Sequence, residues 1–140
     1  MGDGFMYELM VQLEFQAAHR LRDYRGKCAR FHGHNYKVEV FVAGERLQDN
    51  DILVDFGDVK RAWEDILDSF DHQYLNELPA FQGRNATAER LAQVLFERLS
   101  AAIDSDRFGV SRVRVWETPT CAVTYEPGRR EGDDAGPADG

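Results

Sequence analysis

Apolar side chains recur at every second position from Leu9 through Val11 and Leu13 to Phe15, and a second alternating run extends from Asn35 to Val42. A period of two belongs to a strand with one face toward a core. Two such runs commit the chain to a fold built on a sheet. His19 keeps the parity of the apolar residues in the first run, so it is expected to face inward. His32 and His34 stand two apart at the start of the second run and therefore share a face.

Three imidazoles on compatible parity can meet on one ion, because each nitrogen ligates zinc at about 2 Å. A set of three histidines with no fourth protein ligand is the pattern of catalytic zinc, which keeps one position open for water or substrate. One histidine beside an apolar strand is more often an interior side chain held by a hydrogen bond. The agreement of three, in a chain with only 4 histidines, favours the metal. Imidazole also suits other first-row metals, so the ligand set alone does not name the ion.

After Asp49-Asn50-Asp51, which marks a turn, Ile52 to Phe56 reads as a short apolar extension of the hairpin. From Asp58 the spacing becomes helical, with Val59, Trp63, Ile66, Leu67 and Phe70 on one stripe. Pro79 to Arg84 reads as a loop, and Asn85 is the expected N-cap of a second helix with the stripe Leu91, Val94, Leu95, Leu99, Ala102 and Ile103. Val110 to Trp116 and Ala122 to Tyr125 are the remaining strands. The expected fold is α+β: a four-stranded antiparallel sheet with two helices on one face. Open edges on so small a sheet invite pairing between subunits, so a homo-oligomer is expected. Residues 1–127 are read as a single domain and 128–140, without large apolar residues, as a disordered acidic tail.

With 140 residues, 43% of them hydrophobic, the chain can bury one ordinary core but not two. Seventeen basic against twenty-five acidic residues give a net charge of -8, which argues against nucleic acid or an anionic membrane as the main partner. The absence of a membrane-length apolar run and of a leader pattern points to a soluble, cytoplasmic protein. Two cysteines, Cys28 and Cys121, form no disulfide framework. One local exception to the acidity runs from Arg20 to Arg30, where Arg20, Arg22, Arg25, Lys27 and Arg30 are opposed only by Asp23. That cluster suits a small polyanion as well as it suits an ordinary solvated loop.

Further residues carry the chemistry that would turn a metal site into an enzyme. Cys28 lies four before His32 among cations that favour its thiolate, making it a candidate base or nucleophile, although a free cysteine is more commonly a small buried side chain. Asp71 and His72 can act as a carboxylate and imidazole that relay a proton, or His72 can merely complement a helix end. Glu117 has the inward parity of Val113 and Val115, so its carboxylate needs a donor, whether a ligand's N–H groups or an arginine of the same subunit. Cys121 reads as a packed small residue.

Taken together, Phe15-Gln16-Ala17-Ala18-His19, Cys28-x-x-x-His32-Gly33-His34-Asn35-Tyr36, Asp55-Phe56, Asp71-His72-x-x-Leu75-Asn76, Asn85-Ala86-Thr87-Ala88-Glu89 and Trp116-Glu117-Thr118 resemble the 6-pyruvoyltetrahydropterin synthase family over roughly residues 6–126. The three residues between Cys28 and His32 resemble the bacterial branch, the 6-carboxy-5,6,7,8-tetrahydropterin synthases of queuosine biosynthesis. The resemblance implies a tunnelling fold whose sheets join into an oligomeric barrel with active sites at subunit interfaces. It implies Zn2+ held by His19, His32 and His34, Cys28 as general base, Asp71 with His72 as proton relay, and Glu117 anchoring the pterin. The implied substrate is 7,8-dihydroneopterin triphosphate, and the products are 6-carboxytetrahydropterin, acetaldehyde and triphosphate. The sibling reaction, elimination to 6-pyruvoyltetrahydropterin, would use the same residues, and a non-catalytic zinc- or pterin-binding oligomer is the alternative outside catalysis. One departure stands out, Ala86 where the family usually has the proline of Asn-Pro-Thr.

Overall fold

In a computed structural model, which describes residues 6–19 and 32–128, the two alternating runs pair with each other along their whole length. Strand β1 (Tyr7–His19) and strand β2 (His32–Gly44) are antiparallel, in a register that sets Val11 against Val40, Phe15 against Tyr36 and His19 against His32. Strand β4 (Gly109–Thr118) lies antiparallel on the other side of β2, and β5 (Cys121–Tyr125) closes that edge.

The expected sheet gains a fifth member. Between the helices, β3 (Gln73–Tyr74) runs parallel to β1 opposite Ala17 and Ala18, so the order is β3-β1-β2-β4-β5 and the sheet is mixed. A two-residue strand has no periodicity to read; it is defined by the partner it meets.

One face of this sheet forms the core. Val11, Phe15 and Ala17 of β1, Tyr36, Val38, Val40 and Val42 of β2, and Val113 and Val115 of β4 pack with both helices. Helix α1 (Phe56–Asp68) contributes Val59, Trp63 and Leu67; helix α2 (Ala88–Ile103) contributes Leu91, Leu95 and Leu99. Burying these side chains is the main force that holds the layers, at about 1.5–3 kcal/mol for each large apolar residue before entropy is set against it.

Both helix starts differ from expectation for the same reason. Ile52–Asp55 is not strand: the Asp55 carboxylate accepts the Gly57 N–H at 2.7 Å and α1 begins at Phe56. At α2 the cap is Thr87, whose hydroxyl accepts the Arg90 N–H at 3.1 Å, rather than Asn85. In each case a short polar side chain satisfies a free donor of the first turn. The segment after Leu78 is a 3-10 turn, Pro79–Phe81, where a plain loop was expected, and it buries Phe81. Of the expected tail, 129–140 lies outside the described residues.

Candidate active site

The core face does not stop at apolar residues. At its end β1 delivers His19, β2 delivers His34 and β4 delivers Glu117, on the parity of the core valines, and their ligand atoms all lie within 4.8 Å of one another. His19 is fully buried, His34 is 16% exposed and Glu117 28%. The Glu117 Oε2 is 3.7 Å from His19 Nε2 and 3.9 Å from His34 Nε2.

The protonation of His19 follows from its other nitrogen. Nδ1 lies 2.7 Å from the carbonyl oxygen of Ala86, which can only accept, so Nδ1 carries the hydrogen and Nε2 offers a lone pair to the cluster. A metal-ligating histidine is held in this way, its second nitrogen bonded to a fixed acceptor. Tyr36 assists from below. It is buried and stacked on Phe15 with centroids 5.2 Å apart, and its hydroxyl lies 3.3 Å from the same Nδ1. The two imidazoles meet edge to face, 4.8 Å between centroids.

These donors fit a metal ion. Around a four-coordinate zinc with bonds of about 2.0–2.1 Å, ligand atoms stand roughly 3.3–3.5 Å apart; the Glu117 separations of 3.7 Å and 3.9 Å are close to that, and the group, whose atoms spread to as much as 4.8 Å, would draw in further around an ion. The backbone of His32 stands directly across from His19 in the β1–β2 ladder.

Beside the cluster opens a groove of about 570 Å³ lined by residues that include Gln16, Gly33, His34, His72 and Tyr74. Its outer wall is the connection after α1. Asp71 accepts the Gln16 N–H at 2.9 Å through Oδ1, and its Oδ2 lies 3.1 Å from His72 Nδ1. The Gln16 N–H holds the Asp71 carboxyl below the ordinary aspartate range, and His72 pulls in the same direction against a small cost of burial. His72 itself is 72% exposed and adopts a left-handed backbone, φ 60°. It is one of the groove's lining residues and lies three residues beyond Ser69, the C-cap of α1.

A family model described as 6-pyruvoyl tetrahydropterin synthase matches residues 8–128. The chain belongs to that family. A 6-carboxy-5,6,7,8-tetrahydropterin synthase of Haemophilus influenzae is 30% identical over 143 residues, covering 86% of this chain and 99% of the relative. The enzyme of the same name from Bacillus subtilis is 32% identical, covering 88% and 87%. Among solved structures, the 6-pyruvoyl tetrahydropterin synthase of Caenorhabditis elegans superimposes with a TM-score of 0.80 at 27% identity, covering 91% of this chain and all of that one.

Within this family, the chain brings His19, His34 and Glu117 together, and sets His72, which Asp71 contacts, at the groove that His34 also lines. Cys28, the basic cluster from Arg20 to Arg30 and the side chain of His32 lie outside what the structure describes. Cys121 is exposed, not packed as expected, because it follows the turn at the sheet's outer edge, where its sulfur meets the Thr120 hydroxyl at 3.7 Å. Two participants were not singled out from the sequence: Tyr36, which has the parity of His34 and could have been found by it, and the Ala86 carbonyl, which no side-chain pattern announces.

Proposed function

We propose that this synthase converts 7,8-dihydroneopterin triphosphate to 6-carboxy-5,6,7,8-tetrahydropterin, acetaldehyde and triphosphate, in a zinc-dependent reaction that serves queuosine biosynthesis. The observation that carries the reading is that one groove is lined both by His34, a member of the His19–His34–Glu117 cluster, and by His72, whose Nδ1 Asp71 holds. The relatives at 30% and 32% identity, both carboxytetrahydropterin synthases by name, supply the choice of branch.

In this reading His19, His32 and His34 hold the metal. Bound zinc supplies a Lewis acid that polarises a side-chain oxygen of the substrate and makes the neighbouring C–H more acidic. Cys28, as thiolate, removes that proton. Asp71 fixes the hydrogen of His72 on Nδ1, so Nε2 is the atom that takes up or delivers a proton over the groove. Glu117 accepts the pterin's amino and ring N–H groups as a parallel pair, which sets the ring and thereby the side chain. The groove lies within the range of about 300–1,000 Å³ common for small-molecule sites.

A homo-oligomer completes the proposal. Among the described residues no strand lies against the outer edge of β1 from Tyr7 to Phe15, and the far edge of β5 is likewise uncovered. Such edges pair with other strands, and joining sheets of several copies into a barrel would bring active sites to subunit interfaces.

Incubating zinc-loaded protein with 7,8-dihydroneopterin triphosphate, with an aldehyde trap and mass spectrometry of the pterins, tests the reaction. Carboxytetrahydropterin with trapped acetaldehyde is the expected result. A pyruvoyl product without acetaldehyde would assign the sibling reaction, and no turnover by metal-replete protein would refute catalysis on this substrate.

A further inference from the structure

Glu117 stands at a discontinuity of the sheet. The β2–β4 ladder ends with Lys37 opposite Trp116, and the pairing with β5 slips between Trp116 and Thr118, so Glu117 is the extra residue of a bulge. Bulges beside a site aim a side chain without committing its backbone to a ladder. Here the side chain is aimed at two imidazole nitrogens, with Oε2 3.7 Å and 3.9 Å from His19 Nε2 and His34 Nε2. An anchor for the pterin ring alone has no need to be the third member of a ligand cluster.

The two tasks compete for the same atoms. A parallel pair of N–H donors engages both carboxylate oxygens in their plane, whereas ligation takes the oxygen that faces the histidines. We infer that Glu117 is a metal ligand in the substrate-free protein and leaves the metal for the pterin ring when substrate binds. Docking of the ring thus opens the coordination position that the reacting side chain requires, and the open position exists only when there is substrate to fill it. This inference rests on the metal and pterin reading proposed above and adds to it a coupling between the two.

Coupling of that kind is reciprocal: ring and metal must weaken each other by one common factor. The probe is unsubstituted pterin, 2-amino-4-oxopteridine, which has the ring donors but no side-chain hydroxyls with which to take the vacated position. Zinc affinity is measured against a chromophoric chelator with and without saturating pterin, and pterin affinity with and without zinc. The wild type is expected to show a mutual loss of about fivefold or more. Glu117→Gln is expected to bind both zinc and pterin more weakly and, at pterin concentrations raised to occupy its weakened ring site, to show a coupling factor near one. Cobalt absorption gives a second reading, since pterin should move the spectrum of the cobalt-loaded wild type toward that of Glu117→Gln.

A wild-type coupling factor of one, or pterin that tightens zinc, would overturn the inference while leaving the metal reading intact. Failure of zinc to bind wild-type protein in the absence of pterin would overturn both. Failure of pterin to bind the zinc-free wild type, in which Glu117 is most available, would also overturn the inference. The wild-type arm needs no variant to fold.

Discussion

His19 Nδ1 and the carbonyl oxygen of Ala86 are 2.7 Å apart across 67 residues of sequence, so the start of α2 holds the last residue of β1. Ala86 directly precedes the cap residue Thr87, and the geometry of the carbonyl depends on where that cap fixes the helix entry. Thr87→Ala is expected to cost about 1 kcal/mol of stability and also to lower zinc affinity, although Thr87 does not itself touch the cluster. Chemical denaturation and chelator competition on the same variant check both halves. Loss of stability with zinc affinity unchanged would show that the carbonyl holds its place without the cap.

The two imidazoles should respond differently to removal. His19→Ala buries the Ala86 carbonyl without its donor and is expected to cost about 1–3 kcal/mol in addition to metal binding. His34→Ala, at a half-buried site, is expected to cost about 1 kcal/mol or less while losing the metal as completely. Equal destabilisation in metal-free protein would contradict the assignment of the His19 contact as structural support for a ligand.

Asp71 gives a pH dependence of definite sign. Its folded carboxyl titrates below the ordinary range, chiefly because it accepts the Gln16 N–H. The unfolded carboxyl, near pH 3.9, binds protons first as the pH falls, so the stabilisation is complete above about pH 4 and is lost as the pH drops through the lower folded value. Asp71→Ala should therefore be less stable than wild type by a constant margin near neutrality that narrows in acid. A margin that widened in acid would reverse the sign of the argument. Since Asp71 is 40% exposed, solvent screens it and the margin should be small.

For Cys28 the expectation concerns a division of roles. Cys28→Ala should abolish turnover and retain zinc, because it removes the proposed base and none of the proposed ligands. Metal analysis of the purified variant beside its activity decides the point, and joint loss of metal would place the thiolate among the ligands.

How much of this was legible beforehand varies with the physical signal involved. β1 and β2 were plain because a buried face imposes a period of two, and that parity turned His19, His34 and Glu117 inward, although it grouped the two histidines with His32 and left Glu117 apart from them. The helices were legible from their stripes, but their starts were not: Asp55 and Thr87 each act through a single hydrogen bond, and neighbouring Asn85 carries the same capping chemistry. β3 left no trace because two residues cannot display a period. The Ala86 acceptor was invisible because a backbone carbonyl is common to every residue. Cys121 was misplaced because a small side chain beside a strand gives no clue to whether its strand pair continues outward.

The backbone of His72 has a consequence for anyone who would improve this protein by selection. At φ 60° an L side chain is under strain that glycine escapes. With no burial to lose at a 72% exposed position, His72→Gly should raise thermal tolerance while removing the proposed proton carrier. A library ranked on heat resistance alone would thus enrich a variant without that carrier, and the sequence favoured by the thermometer would differ from the one that the proposed reaction requires.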